Sequence, residues 1–305
     1  MTLRLAALAA ALLLAAAPAR AAAPAGTIRW VVQHLPPHFS FMLGQPPRRV
    51  EELGLGEVEG FMRVLLARMP EYRHEFVEAG TGRFETLSRS GETMCSLLHV
   101  FTPARLEWLY FSDAYPTLLS REIHVIVRRD RLAALITAPA SAPGARLALA
   151  DLLQRPELRP LLARDRAFGP QIDKLLAQHA VPRLTVGAKL SRRLLDMLRA
   201  GRMDYTLDYP VVVQDYLHGV GDPGALVALP VAEGVSATHG SVACSRTPEG
   251  RRQIEAIDAA VRARARDPAR ETWVRAWRGQ PLAPADMKRL HTYMDERARG
   301  GPRIE

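Results

Sequence analysis

Cysteine is nearly absent from this 305-residue chain, which has only Cys95 and Cys244. Two isolated cysteines with no histidines at ligand spacing do not make a zinc site. Lysine is almost as scarce: of 41 basic residues only Lys174, Lys189 and Lys288 are lysines. Aromatic residues are 6% of the chain. After the first twenty or so residues no apolar run approaches the ~20 needed to span a bilayer. The sequence contains no G-x-G-x-x-G, P-loop, H-E-x-x-H or G-x-S-x-G pattern, and its histidines do not gather with carboxylates at metal spacing. No cofactor and no metal is therefore expected. The formal charge is +9, yet the arginines are scattered among Glu and Asp, with no basic stripe interleaved with aromatics. That pattern argues against a nucleic-acid partner.

The N-terminus carries a strong signal. Arg4 is followed by an unbroken Leu/Ala run over residues 5–17, then by Ala19-Arg20-Ala21. A positive n-region, a short apolar core and a small-x-small site define a cleavable secretory signal, with the cut placed after Ala21. The run is too short for a membrane anchor, and no cysteine stands at the cut to carry lipid. Removal of Arg4 and Arg20 leaves a net charge of +7. Export places the body in an oxidising, periplasmic compartment. There, two cysteines form a bridge more often than they stay free or bind metal.

With 24% charged and 48% hydrophobic residues, the mature chain has an ordinary globular composition and room for one large or two medium domains. Residues 27–33 and 72–78 read as strands, residues 60–69 and 83–90 as helices, and residues 94–100 as a buried strand. This β-α-β-α-β order implies a parallel sheet with covering helices. Residues 102–108 read as a short helix, and Phe111-Ser112-Asp113 as a turn. A second α/β unit follows: strands at 122–127, 145–149, 183–186 and 203–207, and helices at about 171–179 and 189–200. A further strand at 238–244 leads to Thr247-Pro248, a capped helix start. Helical segments then continue through residues 273–277 and 284–297. Glu51-Glu52 and the pair Glu57/Glu59 lie among glycines and read as solvated.

Several segments carry a resemblance in order along the chain. Gly60-Phe61 opens a helix after a Pro-rich loop holding Pro37 and Phe39. The stretch from Arg83 through Leu87 to Gly91 comes next. Thr102-Pro103-Ala104-Arg105 precedes Tyr110-Phe111-Ser112-Asp113-Ala114-Tyr115. Gly201-Arg202-Met203-Asp204-Tyr205 precedes Asp208-Tyr209-Pro210. The middle pair is similar to the T-P-x-R and F-S-x-P-Y signatures of the bacterial extracellular solute-binding protein family 3, the polar amino-acid-binding type of type II periplasmic binding proteins. Ala114 stands where Pro is usual. The last pair is similar to that family's G-R-x-D and D-x-P segment.

The resemblance implies an α/β, two-lobed periplasmic-binding-protein type II fold, with two mixed sheets and flanking helices joined by two crossover strands. Lobe one takes residues 22–118 and 245–305, and lobe two residues 119–244. It implies a monomer that captures a small carboxylate-bearing, amino-acid-like solute and hands it to a membrane ABC permease or sensor. The alternative on the same fold is a lyase resembling cyclohexadienyl dehydratases, with His34, His99 or Asp208 as its acid or base. Cys95 and Cys244 are either bridged or a pair of buried thiols.

Site residues follow from the same resemblance. Arg105, beside Thr102, matches the arginine that grips the ligand carboxylate, a task suited to its planar fork; the competing reading pairs it with Glu107 or Asp113. Asp208 matches the acid that holds a ligand ammonium, with Asp204 the competing candidate because the segment from Gly201 is one residue shorter than in many relatives; a strand-end turn Asp is the alternative. Apart from the resemblance, Gly169 precedes a helix whose first amides are able to receive an anion, with Arg166 near it in sequence; an ordinary loop-to-helix start is the alternative. His34, Phe39 and Phe41 flank the loop where the family sets an aromatic against the ligand; core packing is the alternative. Leu98 and Val100 are apolar where amino-acid binders carry small hydroxyl residues or Gly.

Overall fold

The computed structural model describes residues 25–42, 44–116, 122–136, 146–164, 166–184, 190–234, 239–278 and 282–305. The expected signal peptide and the loop at 141–144 lie outside the described residues, as does the expected lobe boundary at 118/119. In chain order the strands are β1 (Gly26–Val32), β2 (Tyr72–Glu78), β3 (Cys95–Ser96), β4 (Leu109–Pro116), β5 (His124–Arg128), β6 (Leu162–Ala163), β7 (Arg183–Leu184), β8 (Tyr205–Asp208), β9 (Leu226–Pro230) and β10 (His239–Ser245). The helices are α1 (Glu57–Leu66), α2 (Thr81–Arg89), α3 (Leu132–Leu135), α4 (Leu149–Leu153), α5 (Pro170–Ala177), α6 (Leu190–Arg199), α7 (Pro210–Val220), α8 (Pro248–Ala265), α9 (Arg270–Arg278) and α10 (Pro284–Arg299).

The first sheet has the order β2-β1-β3-β10-β4. Its first three strands run parallel, and β10 pairs antiparallel with β3 and β4. Side chains alternate across a strand, and β1 uses both faces. Ile28, Trp30 and Val32 pack with Phe61 and Leu65 of α1, Ile257 of α8 and Trp277 of α9, while Val31 points to Phe84, Met94 and Trp108. Phe61, Tyr115 and Trp277 form a ring cluster with centroids 4.7–5.8 Å apart. A Cβ on Gly60 would overlap the backbone carbonyl of Trp277, so glycine is what lets α1 and α9 approach this closely. Helix α8 starts as the sequence suggests, with Thr247 Oγ1 accepting from Gly250 N at 2.9 Å.

The second sheet has the order β8-β5-β9 and is antiparallel. The parallel pair β6-β7 is tied to it where Leu161 N donates to the Tyr205 carbonyl at 3.2 Å. Helices cover both faces. Val125, Val127 and Leu207 meet Ile172 and Leu176 of α5, and Ile126 meets Leu194 and Leu198 of α6 together with Val213 and Leu217 of α7. The chain thus leaves the first sheet after Pro116 and re-enters it at His239, its antiparallel partner across the β4–β10 ladder. The span 119–244 expected for the second lobe takes in β10, whose ladder partners are β3 and β4 of the first sheet.

Cys95 and Cys244 are bridged. They are directly opposed residues on β3 and β10, with Cα atoms 4.0 Å apart.

Other expectations are corrected. The strand expected over 94–100 is only the two residues of β3, because Ser96 Oγ accepts from Leu98 N at 3.1 Å and turns the chain. Phe111-Ser112-Asp113 is not a turn but the middle of β4: Ser112 Oγ donates to buried Asp258, and Asp113 pairs with Arg303. The strand expected at 145–149 is a single bridge, Leu147 to Val231, leading into α4. Beyond β4 the chain's last residues add one more ladder: Phe111 and Glu305 exchange backbone hydrogen bonds of 2.9 and 3.0 Å.

Candidate functional site

Strand β8 ends in Asp208, Tyr209 caps the next helix, and Pro210 fills its first turn, where a missing N–H costs nothing. Asp208 is 1% exposed. Its Oδ1 accepts from Arg166 Nη2 at 2.7 Å and from the Tyr209 amide at 2.8 Å. Arg166, beyond β6, is half-buried, and its guanidinium carbon lies 5.4 Å from the Phe168 ring centroid and 5.3 Å from that of Tyr209. A cation between two aromatic faces is held by their quadrupoles. Burial opposes the Arg166 charge, but Asp208 outweighs it and holds the guanidinium above its ordinary pKa.

The first sheet's side meets this pair through His38. That residue sits in the tight loop closed by the Leu35–Phe39 bridge, where the Pro36–Pro37 peptide is cis. The His38 ring stands edge-on to Tyr209 at 5.9 Å, and its Nδ1 lies 3.9 Å from Glu57 Oε2 at the start of α1. Burial brings the His38 pKa from 6.5 to about 4; Asp208 acts against this and Arg166 with it. The imidazole is therefore neutral at physiological pH. Burial also raises the Tyr209 hydroxyl, and raises that of Tyr115 further, with Glu57 adding to both. The result is an interlobe cluster of Arg166, Asp208 and Tyr209 against His38 and Glu57.

The residues nominated from sequence fall in different places. Arg166 and Asp208 are in direct contact, and neither shares a hydrogen bond or ion pair with Arg105 among the described residues. Arg105 lies in the 3-10 turn Pro103–Glu107, started by Thr102, whose Oγ1 accepts the Arg105 amide at 3.3 Å. The Arg105 guanidinium donates to the Val100 carbonyl at 2.7 Å. Glu107 and Asp113, its competing partners, pair instead with Arg89 and Arg303. Asp204, the rival to Asp208, binds Arg159 at 3.1 Å. Gly169 has φ +107°, a conformation that favours glycine. The Phe168 and Gly169 amides already donate to Asp173 at 3.0 and 3.2 Å, so an anion there would have to displace that carboxylate. His34 Nδ1 accepts the Phe41 amide at 3.0 Å. Phe39 is 1% exposed and packs edge-on to Phe41 in the first core. His99 is fully enclosed beneath Phe84, with Nδ1 2.9 Å from Ser96 Oγ.

Sequence reasoning missed His38, Tyr209 and Glu57. Glu57 and Glu59 are not solvated but buried in the first turn of α1. Glu59 is drawn in by the Ser40 and Gly56 amides at 2.6 and 3.2 Å, and burial raises its pKa. Two carboxylates at the start of a helix match the positive end of its dipole, a signal that was present in the sequence. Among the described residues no three His, Cys, Asp or Glu side chains gather as a metal site, and no helix is long and apolar enough to cross a membrane.

Two helix-covered sheets and a chain that passes from the first to the second and back match the two-lobed periplasmic-binding-protein fold. No protein-family model matches the sequence, and no curated protein matches it. Solved structures do match in fold. An ancestral arginine-binding protein bound to arginine superposes with a TM-score of 0.56 at 14% identity, covering 83% of this chain and 98% of that one. An ABC uptake transporter substrate-binding protein from Streptococcus pneumoniae with bound histidine gives 0.58 at 13% identity, covering 85% and 94%. The Bordetella pertussis BvgS periplasmic VFT2 domain gives 0.52 at 16% identity, covering 83% and 93%.

Proposed function

We propose that this chain is an exported periplasmic solute-binding protein that closes its lobes on a small carboxylate-bearing solute of amino-acid size and presents it to an ABC-type transporter or a sensor. The observation that carries this reading is the interlobe cluster: Arg166, Asp208 and Tyr209 from one lobe meet His38 and Glu57 from the other. Charged groups gathered between two lobes suit a ligand that bridges them and shifts an open–closed equilibrium. The fold shared with arginine- and histidine-binding proteins supports the same reading. Arg105 takes the ligand carboxylate in this reading, and lobe two supplies the opposing contacts. Of the acids and bases a lyase on the same fold would use, Asp208 is paired with Arg166, His34 Nδ1 accepts the Phe41 amide and His99 is buried against Phe84.

A thermal-shift screen against amino acids, small organic acids and short peptides tests the proposal, because a ligand of the native state alone raises stability. The expected result is a hit recovered unchanged in mass, with affinity lost in Arg105→Ala. Turnover of the hit would establish the lyase instead. An Arg105→Ala variant that binds the hit as the parent does would remove Arg105 from the site.

A further inference from the structure

We propose that Arg166 receives an acidic group of the solute from the lobe-two side of the cleft. This rests on the solute-binding reading above, in which Arg105 takes one carboxylate; the solute class then narrows to small diacids, with the second carboxylate on Arg166. Asp208 and Arg166 pair at 2.7 Å, but they are not equally placed: the Asp208 side chain is 2% exposed and that of Arg166 is 21% exposed. Glu57, across the lobe boundary, is 3% exposed, and His38 beside it is neutral at physiological pH. Of the charged groups in the interlobe cluster, the guanidinium is therefore the one that a solute arriving from solvent meets.

Its donors are open as well. Nη2 serves the Asp208 carboxylate, whereas Nε and Nη1 make no hydrogen bond among the described residues. The rings of Phe168 and Tyr209, with centroids 5.4 and 5.3 Å from the guanidinium carbon, hold the group in place. A guanidinium fixed by two rings and a buried carboxylate loses little further freedom when an oxyanion arrives, and its planar fork suits a carboxylate. The carboxylates of Asp208 and Glu57 oppose an incoming anion. Asp208 is in contact with Arg166 itself. Burial lowers the Arg278 pKa and Glu57 acts against this, which places a second guanidinium beside Glu57. These charges balance, and the charge-assisted hydrogen bonds that Arg166 still has to give favour the anion.

Calorimetric titration of the purified chain with matched pairs tests this: glutamate against glutamine, aspartate against asparagine, succinate against succinamate. The members of a pair differ only in whether the second group is a carboxylate or an amide. The expected result is that at least one diacid binds at least about tenfold tighter than its amide. Arg166→Gln, checked for folding by circular dichroism, should weaken that diacid and bring it level with its amide. A loss of equal size for diacid and amide would make Arg166 a support of the fold and not a ligand contact, and overturns the inference. So does a ratio below about tenfold in every pair with the parent chain. Either result leaves the solute-binding reading standing. A panel in which neither diacids nor amides bind at millimolar concentration overturns both. Should Arg166→Gln fail to fold, Arg166→Lys replaces it, keeping the charge without the planar fork; it should lower the same ratio, and a ratio it leaves intact overturns the inference.

Discussion

Asp258 and Arg297 meet at 2.6 Å with neither side chain exposed to solvent. Asp258 also accepts Ser112 Oγ at 2.7 Å and Arg262 Nε at 2.8 Å, and so ties β4, α8 and α10 together. Removing one member of a buried pair strands the other, which costs about 3–5 kcal/mol. Arg297→Met and Asp258→Asn should each lower unfolding free energy by that order in urea titrations. Losses below 1 kcal/mol would mean that the pair is not dry in solution.

The Cys95–Cys244 bridge spans 149 residues. In the chain-entropy account a loop of that length contributes up to about 5 kcal/mol, by restricting the unfolded chain. Reduction, or the double substitution to serine, should lower the denaturation midpoint by a corresponding amount without changing the far-ultraviolet spectrum at low temperature. An unchanged midpoint on full reduction would show that the bridge does not form.

Gly60 lies against the Trp277 carbonyl, and α1 and α9 cross there. Gly60→Ala should push the helices apart and destabilise the first lobe by about 1–3 kcal/mol, the usual range for overpacking. Thermal melts of Gly60→Ala and of an exposed-helix control, Gln214→Ala, separate packing from propensity. Equal melting temperatures for the two variants would remove the close approach.

Burial, with the Arg105 charge adding to it, brings His99 from 6.5 to about 3, while His38 is brought to about 4. Both are neutral in the folded chain over most of the acid range. Above pH 6.5 the folded and unfolded states bind the same protons at these sites, and their contribution to stability is complete. As pH falls below 6.5 only the unfolded chain takes protons up, so stability declines by roughly 1.4 kcal/mol per pH unit for each histidine. The decline from His38 ends near pH 4 and that from His99 near pH 3. Urea unfolding between pH 7 and pH 5 should show this slope, reduced in His99→Gln; an undiminished slope in that variant would contradict the burial of His99.

Much of the fold was legible because hydrophobic period speaks directly. Strands β1 and β2 and helix α6 lie within a residue of their expected limits, and α8 begins at its expected Thr247-Pro248 start. Strand β4 was obscured because Ser112 and Asp113 look like turn residues. Tertiary partners, Asp258 and Arg303, satisfy their side chains and let the ladder form. Arg166 and Asp208 were both flagged, one from a helix start and one from a motif, but their contact was not. It joins residues 42 positions apart across a sheet edge, which no local pattern encodes. His38 was invisible for a related reason: a lone histidine in a Pro-rich loop has no period, and only the approach of the second lobe gives it a role.

The disulfide joins β3, one strand before the chain leaves the first sheet along β4, to β10, the strand on which it returns. Everything between the two cysteines is a covalent ring. A protease cutting one bond in the second lobe would leave a nicked protein that migrates as one species until a reductant is added. Proteases would then have to cut twice, or a reductant act first, before any part of that lobe was lost.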